Sequence, residues 1–249
     1  MSLQRQVALV TGGAGYIGST TARRLAGDGA TVIACDLAAE RAQAVAADIV
    51  AEGGQASGIA LDVCSPAGIE SVVAQIIERH GRLDILVNAA GGSARERASN
   101  VHGSRAEVVD EVLDINLRGM IHCCRAVIGQ MLAQGRGRIV SVASVVGMQG
   151  LAGHADYAAA KAGVIAYSKS LAMEVGRHGI NVNCVSPGLV PRPGTATEHV
   201  AATNYLGRVA SAETVANVIA FLVSEQAEFV LGQNYVVDGG RCLGLHGSP

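Results

Sequence analysis

Gln6-Val7-Ala8-Leu9-Val10-Thr11-Gly12-Gly13-Ala14-Gly15-Tyr16-Ile17-Gly18 decides the fold class of this 249-residue chain. The run over residues 6–10 is continuous and apolar, as expected for a strand buried on both faces. Gly13 to Gly18 then fits G-x-G-x-x-G, and a helix is expected over 16–26. A glycine turn between a strand and a helix is the context that gives this motif its meaning. Glycine lets backbone approach a pyrophosphate, and the helix N-terminus offers free N–H groups and a positive dipole end. An ordinary glycine turn is the plain alternative, and the position directly after the first strand weighs against it.

Outward from this turn the same unit recurs. Strands are expected over 31–35, 55–61, 83–87, 138–142, 181–185 and 234–237, and helices over 38–52, 155–177 and 212–223. Ser65-Pro66 opens a further helix with a cap residue and a proline in the first turn. Residues 105–132 read as two helical stretches broken near Asn116 and Gly119. Alternating strands and helices imply right-handed crossovers and a parallel sheet. The expected fold is therefore α/β: a Rossmann-like, doubly wound parallel sheet of about seven strands, helices on both faces, one domain over 1–249. Ligands of such sheets sit beyond the carboxyl ends of the strands. The Gly/Pro-rich piece from Pro187 reads as a loop over a site, and a substrate loop is expected over 187–206.

Bulk properties narrow the function. The chain is 49% hydrophobic and 16% charged, with mean hydropathy +0.33, enough apolar material for one large core. A net charge of −2 gives no reason to expect nucleic acid or an acidic membrane surface as partner. No apolar run reaches transmembrane length, and the short lead into the first strand leaves no room for a signal peptide. Six cysteines form no C-x-x-C, and no histidine pair has metal-ligand spacing, so no metal is expected. The cysteines read as small buried hydrophobes in a reducing, cytoplasmic setting.

Asp36 ends the second strand eighteen residues after Gly18. A carboxylate there accepts both ribose hydroxyls of an adenosine and repels a 2′-phosphate. No arginine adjoins it, Arg41 being a turn further on, so NAD is expected in preference to NADP. A surface aspartate capping the next helix is the plain alternative. Asp62-Val63 closes the third strand and Asn88-Ala89-Ala90-Gly91 the fourth, where small residues let a cofactor pass close to the backbone.

Tyr157 and Lys161 are four apart and share a helix face. An ammonium beside a phenol favours the phenolate and draws its pKa down from about 10. Such a phenol is a proton donor or acceptor. Ser144 lies thirteen residues upstream. Alone it reads as a turn serine at a strand end, as Tyr157 and Lys161 alone read as an exposed helical pair.

With Thr11 to Gly18, Asp62-Val63, Asn88 to Gly91, Asn116, Ser144, Tyr157, Lys161, Pro187-Gly188 and Val237-Asp238-Gly239-Gly240 together, the chain resembles the compact branch of the short-chain dehydrogenase/reductase family over nearly its whole length. The resemblance implies an Asn116–Ser144–Tyr157–Lys161 catalytic group. Tyr157 passes a proton to or from the substrate oxygen, Ser144 hydrogen-bonds that oxygen, Lys161 holds the nicotinamide ribose, and Asn116 holds a water in a proton relay. It implies cofactor binding by Gly12, Gly15, Tyr16, Ile17, Gly18, Asp36, Leu37, Asp62, Val63, Asn88, Ala89, Gly91, Tyr157, Lys161, Pro187, Gly188 and Val190. A substrate pocket is implied at Ser93, Gln149, His154 and Leu189, with Ala94, Met148 and Leu151 beside them. For His154 a solvated loop histidine is the equal alternative.

Two positions depart from the family pattern. Tyr16 stands where the compact branch has glycine; its spelling resembles the longer, epimerase-like branch, but no residues remain for that branch's extra domain. Arg192, between Pro191 and Pro193, stands where a threonine is usual, and the following stretch to Leu206 is short, which suggests a more open pocket. Arg95, Arg97, Arg105 and Arg192 flank the expected mouth, as solvated charges or as partners of a carboxylate or phosphate. Small residues Ala158, Ala162 and Ala166 suit helix pairing in a homotetramer, or failing that a dimer, and the tail from Arg241 could meet a neighbouring subunit. The expected activity is NAD-dependent interconversion of a secondary alcohol and a ketone. The alternatives are a 3-oxoacyl-thioester reductase acting on acyl carrier protein or coenzyme A, and an inactive cofactor-binding subunit.

Overall fold

The computed structural model describes residues 2–97, 99–192, 194 and 202–244. Seven strands form one sheet in the order β3-β2-β1-β4-β5-β6-β7, every neighbouring pair parallel. They are β1 (Val7–Thr11), β2 (Thr31–Asp36), β3 (Gln55–Ala60), β4 (Ile85–Asn88), β5 (Gly137–Val142), β6 (Ile180–Pro187) and β7 (Asn234–Val237). The helices between them are α1 (Tyr16–Gly27), α2 (Ala39–Ala51), α3 (Pro66–His80), α4 (Ala106–Leu113), α5 (Gly119–Gln134), α6 (Val146–Gln149), α7 (Ala155–Val175) and α8 (Ala212–Val223).

Successive strand residues feed opposite faces, as the two-residue side-chain period requires. Val7, Leu9, Ile33, Leu86, Ile139 and Val182 join one core with α3, α5 and α7. Ala8, Val10, Val32, Val87, Val140 and Val185 join the other with α1, α2 and α8. Both faces are covered, so the strands read as continuous apolar runs. Cys35, Cys123, Cys124 and Cys184 are buried there; burial pushes the Cys35 and Cys123 thiols up to about 12. Cys64 is exposed and Cys242 half-buried, so the expectation of a buried role fails for these two. No helix among the described residues is long and apolar enough to cross a membrane.

Helix α3 starts as expected: Pro66 is its first residue, and the Ser65 hydroxyl accepts the Gly68 N–H at 3.2 Å. The expected break near Asn116 and Gly119 is instead a turn of π-helix, Asp114–Arg118, joining α4 to α5 without interruption. Polar asparagine followed by glycine reads as a stop in sequence. In the fold the extra residue of the wider turn is accommodated within the helix, a device that recurs at functional sites.

The sheet's switch point lies between β1 and β4, where the chain leaves β3 at one edge and re-enters beyond β1. Thr11 is level with Asn88, and Asn88 with Ser141, so the carboxyl ends of β1, β4 and β5 open on one crevice.

Candidate active site

The glycine turn sits at this switch point. Gly12 has φ +62, and a Cβ there would lie 2.7 Å from the Ala90 backbone. A Cβ on Gly18 would overlap the Gly12 carbonyl, so α1 packs directly on the turn. The turn is closed by the Gly15 N–H donating to Gly12 O at 2.9 Å and the Gly13 N–H donating to Cys35 O at 2.8 Å. Helix α1 carries no side-chain cap and no acidic residue in its first turn. Its leading N–H groups are thus left for an anion. Glycines that a Cβ would block and an uncapped helix start fit a dinucleotide's pyrophosphate. Tyr16 begins α1, and its carbonyl accepts the Thr20 hydroxyl at 2.9 Å.

Asp36 ends β2 as expected, and its Oδ2 accepts the Ala14 N–H at 3.1 Å. The carboxylate is thereby pinned to the glycine turn. Arg41, set apart from Asp36 in the sequence, reaches back along α2 and donates to the Ala14 carbonyl at 2.8 Å. Ala14 therefore meets both charges, its N–H on Asp36 and its carbonyl on Arg41, while Arg41 makes no ion pair with Asp36 among the described residues. Leu37 is exposed beside Asp36. Asp62 is exposed and accepts the Cys64 N–H at 2.8 Å. Val63 is buried against Gly119, where a Cβ on the glycine would lie 2.8 Å from it, so its side chain serves packing.

Asn88 is buried, and its Nδ2 donates to Ser141 Oγ at 3.1 Å and to Cys124 Sγ at 3.5 Å. Its side chain therefore bridges strands and helix within the core. Past it the chain turns over Asn116: a Cβ on Gly91 (φ +156) would collide with Asn116 Oδ1 and come within 3.3 Å of Lys161 Nζ. Asn116 Oδ1 accepts the Gly92 N–H at 3.2 Å, and its Nδ2 donates to Gly92 O at 2.8 Å and Val112 O at 2.9 Å. The π-turn thus aims Asn116 inward, where it clamps the glycine loop above Lys161.

Lys161 is buried on α7, and its Nζ donates to Val142 O at 2.8 Å. Burial pushes its ammonium down to about 8. The same nitrogen lies 5.7 Å from the centroid of the Tyr157 ring. Ser144 is buried at the end of β5 and accepts the Val146 N–H at 3.2 Å. Helix α6 can pack on α7 only through Gly147, where a Cβ would lie 2.6 Å from the Lys161 backbone. Opposite, the Gly188 N–H donates to Val237 O at 2.9 Å, and a Cβ on Gly188 would press on Asp238 at 2.9 Å.

Ser144, Tyr157 and Lys161 line one cleft of about 460 Å³ with Ile17, Ala89, Gly91, Ser93, Gln149, Leu151, Pro187, Gly188, Leu189 and Val190. Ala94, Met148 and His154, expected beside them, do not line it. His154 stands at the start of α7 with Nδ1 3.4 Å from Ala152 O and Nε2 enclosed. Met148 points to β7, its sulfur accepting Asn234 Nδ2 at 3.3 Å. Of the arginines expected at the mouth, Arg97 is held by Glu111 through two bonds of 2.7 and 2.6 Å, and Arg192 is exposed outside the lining. Pro193 and residues 195–201 of the expected substrate loop, and 245–249 of the tail, lie outside the described residues. Arg241 also lines the cleft and was not singled out as a site residue. The paired glycines before it signal a chain reversal, but not toward which wall.

A family described as enoyl-(acyl carrier protein) reductase matches residues 12–241. Over 98% of its length the chain is 37% identical to the (2S)-[(R)-hydroxy(phenyl)methyl]succinyl-CoA dehydrogenase subunit BbsD of Thauera aromatica, covering 99% of that protein. It is 37% identical to the 3-oxoacyl-[acyl-carrier-protein] reductase FabG of Thermotoga maritima and 38% identical to that of Escherichia coli, in each case over 98% of this chain and 100% of the relative.

Proposed function

The chain belongs to the short-chain dehydrogenase/reductase family and is an oxidoreductase, and from that premise we propose that it interconverts a secondary alcohol and a ketone with NAD(H), using Tyr157 as general acid and base. The observation that carries this reading is the convergence of Ser144, Tyr157 and Lys161 on one cleft at the switch point of the sheet.

A bound nicotinamide supplies or accepts the hydride. The protein's own residues handle the proton and the charge. The Tyr157 hydroxyl gives a proton to the substrate oxygen in reduction and takes it in oxidation. Lys161 is buried but keeps its proton at neutral pH, because its pKa of about 8 lies above it. Its positive charge, 5.7 Å from the ring centroid, stabilises the phenolate. Ser144 donates to the substrate oxygen and stabilises charge growing there. Asn116 holds the Gly91-Gly92 backbone over Lys161 and so keeps the ammonium enclosed.

Gly12, Gly15, Ile17 and Gly18 with the start of α1 would receive the pyrophosphate, and Ala89, Gly91, Gly188 and Val190 the nicotinamide end. NAD is proposed over NADP; the reading is supported by the Asp36 carboxylate at the end of β2, held against the glycine turn, where it would accept ribose hydroxyls and repel a 2′-phosphate. A reducing, cytoplasmic setting fits the four core cysteines. A homotetramer fits the exposed small residues Ala162 and Ala166 along α7. The second reading, reduction of a 3-oxoacyl thioester, is favoured by the printed activities of the relatives, two of which are acyl-carrier-protein reductases and one a coenzyme A thioester dehydrogenase.

The test is NADH formation across secondary alcohols, hydroxy acids, polyols and 3-hydroxyacyl thioesters, with Tyr157→Phe as the blank. The expected result is a signal on one class that falls by about 10²–10⁴-fold in the variant. Signal on thioesters alone would favour the second reading. A signal indifferent to Tyr157→Phe would remove Tyr157 from the chemistry.

A further inference from the structure

After β7 the chain passes through Gly239 (φ +67) and Gly240 (φ +86), two successive left-handed residues that turn it back on itself. The Asp238 carboxylate secures that reversal: Oδ1 accepts the Gly240 N–H and Oδ2 the Cys242 N–H, each at 2.8 Å. The Arg241 N–H donates to Asp238 O at 3.3 Å. Both oxygens of the neighbouring carboxylate are thus engaged with backbone, and the turn sets Arg241, half-buried, into the wall of the cleft.

Among the described residues the guanidinium has no ion-pair partner. Its Nη1 donates to the Thr203 hydroxyl at 2.7 Å, a neutral partner. Among the described residues no aspartate or glutamate lines the cleft, whose cations are Lys161 and Arg241, and Asp238, which borders an adjoining hollow with Arg241, has both oxygens on backbone N–H groups. A guanidinium has five N–H donors in a planar fork, so one bond to Thr203 leaves donors for an anion. Arg241 and Leu189 also border an adjoining hollow of about 80 Å³, on the side of β6 and β7 rather than of the glycine turn. The pyrophosphate has its own receptor in the start of α1, and Asp36 serves the ribose. The charge at Arg241 is therefore left for the substrate.

We propose that Arg241 binds a carboxylate of the substrate, which makes the preferred pair a hydroxy acid and its keto acid. This rests on the oxidoreductase reading above and deepens it to a substrate class. A fork-to-carboxylate pair is directional as well as charged, so it would orient the reacting carbon toward Tyr157 and Ser144.

The test compares wild type, Arg241→Gln and Arg241→Lys on a series of short hydroxy acids and their methyl esters. NADH affinity is measured by fluorescence, and binding of the keto acids to the NADH complex by calorimetry. Arg241→Gln is expected to lower kcat/KM for the acids about 10–100-fold, mainly through KM. Turnover of the esters and NADH affinity should be unchanged, and Arg241→Lys should recover part of the loss. Unchanged ester turnover also shows that the variant folds. Equal losses on acids and esters, loss of NADH affinity, or a wild type that prefers esters would overturn the proposal. If no compound is turned over but keto acids bind the wild-type complex and not Arg241→Gln, Arg241 keeps its role and the proposed NAD(H)-linked alcohol–ketone interconversion fails. If keto acids do not bind the wild type at all, the proposal fails.

Discussion

At the turn between β1 and α1 the groups on offer are backbone: N–H donors without a side-chain cap at the start of α1, and glycine Cα atoms packed against Ala90 and against one another. Around Ser144, Tyr157 and Lys161 they are side chains, delivered by α7 and the loop after β5 and closed in by a loop after β4. The first region is shaped by the absence of side chains and tolerates little added volume. The second holds a buried charge on Lys161, so its cost is electrostatic. The difference teaches where each half is vulnerable. A methyl group should injure the first, and a change of protonation the second.

The largest expected effect tests the second half. Burial holds Lys161 at about 8, against about 10.4 in the unfolded chain. Below pH 8 both states are protonated and the full penalty of the buried charge applies. Between the two values the unfolded chain binds a proton that the folded one lacks, so stability rises with pH; above both the penalty is gone. Urea melts of the cofactor-free protein should therefore show wild type gaining on the order of 2–3 kcal/mol relative to Lys161→Met from pH 8 to pH 10. A flat difference would mean that Lys161 titrates in the fold as it does in water, and the contrast between the halves would collapse.

Next comes the backbone half. Gly18→Ala places a methyl group in the Gly12 carbonyl, and should cost about 2 kcal/mol in stability as the turn shifts. NADH affinity should fall with it in a fluorescence titration. A variant with unchanged melting and unchanged NADH binding would show that the turn has slack. The smallest effect concerns Asp36, the one side chain on which the first half depends. Asp36→Ala should weaken NADH roughly 10-fold, a charge-assisted bond's worth, and narrow the gap to NADPH. Tighter binding of NADPH by the wild type would reverse the cofactor assignment and point to Arg41, whose guanidinium already meets Ala14.

The legible part of the site shares a physical character. Tyr157 and Lys161 are one helical turn apart, and the glycines of the first turn are bonded among themselves and to the end of β2. The illegible part lies across longer gaps. Arg97 was grouped with the mouth, yet Glu111, fourteen positions away, occupies it. Asn116 looked like a helix stop because its partners, the Gly92 backbone and Val112 carbonyl, belong partly to another strand's loop. Asn88 lies at the right strand end, but Ser141 and Cys124 draw its side chain into the core.

The sequence alone determined the alternation of strands and helices, the parallel sheet this implies, the last helix and last strand to the residue, and the placing of Tyr157 and Lys161 one turn apart on one helix. Each of these follows from spacing within a few residues, which the backbone's own periods govern. Only the tertiary structure decided that Arg241 shares a wall with Leu189, that Arg41 folds onto Ala14, and that His154 stays outside the cleft. Those neighbours depend on strand order and on how far a helix slides over the sheet. Both are settled by packing of the two cores, and no local period records them.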